Sequence, residues 1–164
     1  MPLPIRKLVT NNLYQQLEKY LKNQQWHEAD QETWQLMLKV TNRGQEGWLE
    51  LHNIKNFPCE DLLTLDRLWL EYSKKHGYEF GFSVQKQIYV ECGGKLDFSY
   101  PSGETWEKFG DRTAWRREGK WVNYPAPFFK KNLMVRGHLP FYVAIDDRGV
   151  GVSKGSLFSH QDLP

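Results

Sequence analysis

The sequence has only two cysteines, Cys59 and Cys92, and 33 positions separate them. Such a pair provides no disulfide framework of the kind that small secreted domains use, so we expect reduced, buried thiols in a cytosolic or stromal compartment. The N-terminal segment MPLPIRKLVT is too short and too polar for a secretory signal. No apolar run approaches the roughly 20 residues that a membrane span requires, so we expect no transmembrane helix.

Motifs that mark catalytic and metal sites are also missing. The sequence contains no glycine-rich phosphate loop, no HExxH and no GxSxG. Its five histidines are scattered, and none is paired with a cysteine at the spacing of a metal site. Cys59 is followed by Glu60 and Asp61, whose charges disfavour the thiolate that a nucleophile needs. We therefore expect no enzyme activity, no metal site and no required cofactor.

Aromatic residues, in contrast, are abundant: the 164 residues include seven Trp, eight Tyr and nine Phe. A chain of this length is expected to form one domain with its own core. A core of that size cannot bury every ring, although any single ring is more often a core residue than a ligand contact. Partly exposed rings suit flat ligands or protein partners.

One stretch in the second half of the chain has many more cations than acids. The net charge of +2 is too balanced to indicate nucleic-acid binding. Between Lys108 and Arg136, however, eight Lys or Arg alternate with aromatic residues, and only Asp111 and Glu118 are acidic. Rings provide a flat apolar floor, and guanidinium groups pair with carboxylates at its edge. A large planar acid fits this pattern, as do an acidic protein and, less well because of the charge balance, single-stranded nucleic acid.

Helical periodicity dominates the first hundred residues and predicts a mainly α fold. The clearest helix begins at Pro58, carries acids in its first turn and lysines in its last, and is closed by Gly77. Ser83 is expected to cap the next helix. Residues 48–56 form either a short helix or an irregular arm. The four longer helices are predicted at about 12–23, 26–40, 58–76 and 83–92.

The second half is predicted to be less regular. Ser102 is expected to cap a short helix that ends near Phe109, and residues 110–124 form a small hairpin or two helical turns. Pro125 and Pro127 exclude a continuous helix there. A mixed loop or short helix over 128–136, a strand-like segment at 142–145 and a mobile last dozen residues are expected to follow. The predicted division is an N-terminal lead (1–11), a helical domain (12–140) and a C-terminal tail (141–164).

Five blocks of sequence closely resemble the genomes-uncoupled-four family, the porphyrin-binding regulators of magnesium chelatase in cyanobacteria and chloroplasts. The blocks follow the family order over about residues 12–140. They are EADQETWQLMLKV (28–40), EGWLELHNIKNFPCEDLLTLDRLW (46–69), YEFGFSVQKQIY (78–89), WEKFGDRTAWR (106–116) and GHLP (137–140).

The resemblance implies a single compact helical domain with a cupped, concave ligand-binding face and long loops. Such a domain binds protoporphyrin IX or Mg-protoporphyrin IX and stimulates magnesium chelatase, without catalysis, through the large porphyrin-binding subunit of the chelatase. It implies the cytoplasm of a cyanobacterium or the chloroplast stroma. We further expect a monomer that binds no nucleic acid, and we leave peripheral membrane association open.

The resemblance also implies an apolar palm between two loops, at about 43–57 and 123–138. Trp115 and Arg116 match the family's Trp-Arg after FGD, and Trp121 matches the later Trp. Arg136 precedes GHLP, where the family places cations that bind propionates, whereas His138 is expected to form hydrogen bonds rather than to ligate a metal. The predicted ligand-binding residues are Leu51, Ile54, Phe57, Phe109, Trp115, Arg116, Trp121, Phe128, Phe129, Lys131, Arg136 and His138.

Two alternatives remain from the sequence. The first two helices weakly resemble a tetratricopeptide hairpin, which would indicate a protein–protein interaction module, but that architecture needs stacked repeats and no second copy is present. The segment Phe128–Lys131 and the tail after Pro140 depart from the family pattern. They leave open a divergent paralogue that does not activate the chelatase.

Overall fold

A computed structural model describes residues 12–141 and 154–164. Within these ranges the structure has seven α-helices, two short 3-10 helices and one two-stranded hairpin, which confirms the mainly α fold. The α-helices are α1 (Gln15–Lys22), α2 (Trp26–Val40), α3 (Leu51–Lys55), α4 (Cys59–Lys75), α5 (Phe82–Glu91), α6 (Gly103–Thr113) and α7 (Lys154–Phe158). The 3-10 helices are Asn12–Tyr14 and Lys131–Leu133, and the strands are β1 (Arg116–Arg117) and β2 (Lys120–Trp121).

Helices α1, α2 and α4 form the first part of the core. Leu17 of α1 is completely buried, and α1 packs against both α2 and α4. Trp69 of α4 stacks on Trp26 with ring centroids 6.2 Å apart. The Trp69 Nε1–H also donates to Thr33 Oγ1 at 2.9 Å, so this buried indole keeps its hydrogen bond. The strong periodicity of α2 explains why its bounds agree with those predicted.

The start of α5 differs from the sequence prediction. The helix begins at Phe82 and its N-cap is Gly81, so the prediction that Ser83 caps it was wrong. The buried carboxylate of Asp66 in α4 performs this role, because its Oδ1 accepts the Ser83 N–H at 2.8 Å. A Cβ at Gly81, whose φ is +148°, would lie 2.9 Å from that oxygen. Glycine therefore allows the close approach of α4 to the end of α5.

The Asp66 carboxyl gives stability a pH dependence. Burial raises its pKa, although hydrogen bonds from Ser83 and Phe82 oppose the shift. The folded state thus holds this proton more tightly than the unfolded chain, so the contribution of Asp66 is fully present below the unfolded pKa of about 4 and is lost as the pH rises through the folded pKa. We expect the stability of the wild type relative to Asp66→Asn to fall as the pH rises above about 4. Urea unfolding of both proteins at a series of pH values measures this difference in the free energy of unfolding. A difference that stays constant or rises with pH would contradict a raised pKa for Asp66.

The α6 helix leads into the hairpin. Ser102 caps it as predicted, its Oγ accepting the Thr105 N–H at 3.2 Å, but the helix continues past Phe109 to Thr113. Gly110 lies within the helix, and its missing side chain leaves room for a tertiary contact described below. Of the two alternatives predicted for residues 110–124, the hairpin is present but shorter: β1 and β2 pair antiparallel with Arg116 opposite Trp121, whereas residues 110–113 belong to α6.

The C-terminal residues belong to the core, so the prediction that the last dozen residues are mobile was wrong for residues 156–164. Helix α7 packs against α3 and α5. The Phe158 ring is completely buried, with centroids 5.3 Å from Tyr89 and 5.7 Å from Phe109. His160 Nε2 lies 3.1 Å from the Phe57 carbonyl oxygen. The short helix has no periodicity long enough to be recognised from sequence.

The N-terminal lead (1–11) and the strand-like segment (142–145) lie outside the described residues. The predicted domain boundaries therefore stay predictions. In the part of the chain that the structure describes, no helix combines the length and apolar character that crossing a bilayer requires.

Candidate functional site

Residues 122–141, here called the aromatic loop, fold onto α2 and the end of α6. Trp115 lies beneath this loop and is only 1% exposed. Its Nε1–H donates to the His138 carbonyl oxygen at 2.7 Å. Its ring meets Phe109 and Phe141 edge-on, with centroids 5.1 and 4.8 Å away. Trp115 therefore has the environment of a core residue that anchors the loop.

His138 fastens the aromatic loop to α6. The ring is completely buried, with Nδ1 2.7 Å from the Thr113 carbonyl oxygen and Nε2 2.8 Å from that of Phe128. Phe128, also completely buried, stacks on the imidazole at 4.2 Å. Because both ring nitrogens face backbone carbonyls, neither is directed at a ligand. This geometry agrees with the expected hydrogen-bonding role.

Trp121 of β2 is the most exposed of the predicted aromatic residues, at 46%. Its indole lies against Gly110 of α6, where an added Cβ would come within 2.6 Å of Trp121 Cζ3. Trp106 flanks it with a centroid separation of 6.2 Å. The ring is thus supported from behind by the helix and open to solvent on the other side. We call this arrangement of Gly110, Trp106 and Trp121 the indole platform.

Phe129 is the other partly exposed ring among the predicted residues of the loop. It is half-buried, and its centroid lies 4.9 Å from that of His27 and 5.5 Å from that of Tyr124. His27 Nε2 is buried and has no hydrogen-bond partner among residues 12–141 and 154–164. Phe129 therefore covers the start of α2 while leaving part of its ring at the surface.

The two predicted arginines already have acidic partners. Arg116 Nη1 lies 3.0 Å from both Asp111 carboxylate oxygens, and its Nη2 lies 3.4 Å from Glu107 Oε2. Arg136 Nε donates to Glu79 Oε2 at 3.1 Å. Both arginines are thus positioned by the protein's own carboxylates. Lys131, in contrast, is exposed at the start of its 3-10 helix.

The arm that precedes α4 faces mostly inward. Ile54 and Phe57 are 2% and 3% exposed, and α3 packs against α7. Leu51, at the first position of α3, is 39% exposed. Only Leu51 of these three predicted residues therefore presents its side chain to solvent.

The structure brings four predicted residues into one buried cluster, namely Phe109, Trp115, Phe128 and His138. Trp106 connects this cluster to Trp121, because its centroid lies 6.0 Å from Trp115 and 6.2 Å from Trp121. Arg136 is not part of the cluster. Its side chain instead bonds to Glu79, which lies between α4 and α5. Among the described residues, no group of His, Cys, Asp and Glu could hold a metal ion.

Some residues of this region were not among the predicted ligand-binding residues. Trp106 supports the indole platform, and Phe141 packs on Phe128 at 4.3 Å. In the first loop, the Arg43 guanidinium lies 4.8 Å above the Trp48 ring and bonds to the Trp48 carbonyl. The signal for this pair was present, since an arginine and a tryptophan flank the Gly44–Gly47 turn. Nothing in the local sequence shows that Phe141 reaches Phe128.

Comparison with known proteins identifies the family. The model of the GUN4-like family matches residues 8–161. The ycf53 protein of Pyropia yezoensis is 32% identical over 161 residues, which cover 97% of this chain and 61% of that protein. The Ycf53-like protein of Synechocystis is 30% identical over 149 residues, which cover 90% of this chain and 57% of that protein. The chain therefore spans about three fifths of the length of these relatives.

A chloroplastic tetrapyrrole-binding protein of Arabidopsis thaliana is 32% identical over 92 residues, which cover 55% of this chain and 33% of that protein. Among solved structures, GUN4 of Chlamydomonas reinhardtii superimposes with a TM-score of 0.70 at 26% identity, covering 92% of this chain and 90% of that one. Ligand-free Arabidopsis GUN4 superimposes with a TM-score of 0.71 at 22% identity and has the same fold. The match covers 94% of this chain and 97% of that one. Because the family model spans nearly the whole sequence, this protein belongs to the GUN4-like family, the genomes-uncoupled-four family that its sequence blocks resemble.

Proposed function

We propose that the protein is a non-catalytic tetrapyrrole-binding protein whose ligand is protoporphyrin IX or Mg-protoporphyrin IX. The observation that carries the proposal is the indole platform, where the half-exposed Trp121 ring rests on Gly110. Membership of the GUN4-like family and the similarity to an Arabidopsis protein named as tetrapyrrole-binding support this ligand class.

The platform has the physical properties that a flat macrocycle requires. Aromatic rings prefer offset stacking or edge contacts, which a fixed indole offers to a planar ligand. Since Gly110 and Trp106 already hold the ring, ordering it on binding costs little additional entropy. The tetrapyrrole would be a ligand rather than a cofactor, so the proposed function requires none.

Substitution of Gly110 tests the platform without changing any aromatic residue. Gly110→Ala places a methyl group where Trp121 now lies, so the ring must move while the helix gains a residue of higher helix propensity. Because an aromatic pair contributes about 0.5–1.5 kcal/mol, we expect roughly threefold to tenfold weaker porphyrin binding. Titration followed by tryptophan fluorescence measures the affinity.

The matched control is Gly103→Ala, at the first position of the same helix, where an added Cβ meets nothing within 4 Å. We expect it to bind porphyrin as the wild type does. Equal affinities for Gly110→Ala, Gly103→Ala and wild type would show that the platform does not contact the ligand.

The finer proposal is that the protein stimulates magnesium chelatase through the large, porphyrin-binding chelatase subunit, in a cyanobacterial cytoplasm or a chloroplast stroma. The cyanobacterial and chloroplastic relatives support this setting. Chelatase turnover measured with and without the protein is the test. If chelatase turnover did not change when the added protein was saturated with porphyrin, the protein would be a tetrapyrrole-binding paralogue that does not activate the enzyme.

A further inference from the structure

The buried His138 presents both of its ring nitrogens to backbone carbonyl oxygens. Nδ1 lies 2.7 Å from the Thr113 oxygen and Nε2 lies 2.8 Å from the Phe128 oxygen. A carbonyl oxygen can only accept a hydrogen bond, and a neutral imidazole has a single N–H to donate. In the neutral ring, one of the two nitrogens would therefore direct its lone pair at an oxygen. Both contacts are hydrogen bonds only when the ring carries two protons, as the imidazolium ion.

The groups that the ring contacts favour this positive charge. Thr113 is the last residue of α6, so its carbonyl belongs to the turn that has no intrahelical donor and carries the negative end of the helix dipole. A histidine cation is stabilised at such a helix end. The Phe128 ring stacks on the imidazole with centroids 4.2 Å apart, and the face of an aromatic ring attracts a cation.

Burial opposes the charge, because an ion that is removed from water loses its hydration. His138 is completely buried, but each of its N–H groups has an acceptor, and hydrogen bonds from an ionised donor are stronger than neutral ones. The neutral ring has a cost of its own, since it would leave a buried carbonyl oxygen without a donor. The two carbonyls therefore compensate the imidazolium for its lost water.

The charged groups of the surrounding elements are largely paired. The ion pairs of α6, β1 and the aromatic loop are Arg112 with Glu91, Arg116 with Asp111 and Glu107, and Arg136 with Glu79. The exposed cations are Arg117, Lys120, Lys130 and Lys131, and solvent screens their charges. On α5, the neutral Gln85 donates to the carbonyls of Gly137 and Pro140. On α2, His27 packs on Phe129, and the completely buried Asp30 accepts the Phe141 N–H at 2.7 Å. When ionised, Asp30 balances the charge of the imidazolium.

The two ring contacts join separate parts of the fold. One reaches the end of α6 and the other reaches Phe128, ten residues earlier in the aromatic loop. The backbone of His138 is held independently, because its N–H donates to the Val135 carbonyl at 3.0 Å and its carbonyl accepts the Trp115 Nε1–H at 2.7 Å. Loss of one ring proton would thus remove one fastening of the loop while the residue itself stays in place.

We propose that His138 keeps both ring protons at neutral pH and acts as a latch, so that loss of one proton loosens the aromatic loop on α6 and weakens tetrapyrrole binding. The effect on binding rests on the function proposed above. A histidine that holds its proton more tightly in the folded chain contributes stability that is fully present below the unfolded pKa, about 6.5, and is lost as the pH rises through the folded pKa. Stability and porphyrin affinity should therefore both fall on the alkaline side of neutrality.

The protonation state is measured on the ligand-free wild-type chain, labelled with ¹⁵N at histidine. Nitrogen–proton correlation spectra are recorded at about pH 7.5, where a free imidazole is mostly neutral. We expect both ring nitrogens of His138 to carry protons and to have the similar chemical shifts of an imidazolium. The signals are assigned through the ring and backbone of His138 in the wild type, so the measurement does not require that a variant fold.

The consequence is measured by comparing the wild type with His138→Gln between about pH 6.5 and pH 9, a range in which the carboxylates of the probe, mesoporphyrin IX, stay ionised. We expect the affinity of the wild type to fall roughly tenfold across this range. The affinity of His138→Gln should be lower at pH 6.5 and should not fall further. In urea unfolding, the stability of the wild type relative to His138→Gln should also decrease with pH. The control His52→Gln, which removes an exposed histidine, should keep the pH dependence of the wild-type stability.

A His138 ring with a single N–H at pH 7.5 would overturn the inference. So would a doubly protonated ring in a chain whose porphyrin affinity does not fall up to pH 9. Either result would leave tetrapyrrole binding supported, provided that the wild type binds mesoporphyrin IX. A wild type that binds no porphyrin at any pH would overturn the proposed function and the effect of the latch on binding, whereas the ligand-free spectrum would still decide the protonation of His138.

Discussion

Replacing Trp115 with alanine is expected to lower the free energy of unfolding by about 3–5 kcal/mol, the usual range for a fully buried large aromatic residue. The indole is 1% exposed, packs against Phe109 and Phe141, and donates to the His138 carbonyl. Truncation therefore leaves a cavity and a buried carbonyl without its donor. Urea unfolding followed by circular dichroism measures the change in the free energy of unfolding. The substitution should also disturb the aromatic loop and weaken porphyrin binding.

Trp121→Ala is the matched comparison, because Trp121 is the same residue type at the surface of the same cluster. With 46% of its area already exposed, its truncation should cost no more than about 2 kcal/mol. Binding should nevertheless fall while the protein stays folded. A Trp115→Ala protein as stable as the wild type would contradict the placement of Trp115 in the core and would restore it as a wall of an open palm.

Phe158→Ala is also expected to lower the free energy of unfolding by about 3–5 kcal/mol. The ring fills the space between Tyr89 of α5 and Phe109 of α6, and it is completely buried. Its removal opens a cavity beneath the α6 helix that carries the indole platform. Unfolding in urea, monitored by tryptophan fluorescence, gives the difference.

The control in the same segment is Gln161→Ala, since Gln161 is exposed. It should change stability by no more than about 0.5 kcal/mol. If both variants were as stable as the wild type, the C-terminal segment would not be part of the core, and the sequence expectation of a mobile tail would be correct.

The elements that sequence reasoning placed well are those whose signals are local. The α2 helix combines a long apolar periodicity with a tight turn before it, and α4 follows a proline and carries acids in its first turn. Ser102 caps α6 through a bond to a residue three positions away. Such information lies within one helical turn, so a single sequence contains it.

The elements that were misplaced depend on residues far apart in the chain. Ser83 has the composition of a cap, but Asp66, 17 positions earlier, takes that role. Helix α6 continues past its predicted end near Phe109 to Thr113, and Trp121, 11 positions after Gly110, packs on that glycine. Helix α7 has only five residues, and its burial comes from rings of α5 and α6 that tertiary folding brings to it.

The candidate site likewise combines features that the local sequence predicts with features that depend on distant residues. A pattern of rings and cations predicted a basic, aromatic-rich surface in the second half, but it did not distinguish the buried Trp115 from the exposed Trp121. Nor did it show that Arg136 meets Glu79, a residue 57 positions away. Charge pairing and exposure are properties of the folded surface, so the residues predicted to bind the ligand stay predictions until binding is measured.

The most direct test of tetrapyrrole binding is titration of protoporphyrin IX with the wild-type chain, followed by the Soret absorption of the porphyrin and the fluorescence of the protein. We expect a saturable Soret shift at micromolar concentrations that reaches its end point at one porphyrin per chain. Quenching of tryptophan emission should accompany it and should be smaller in Trp121→Ala. An absence of any saturable change in either signal would contradict the account.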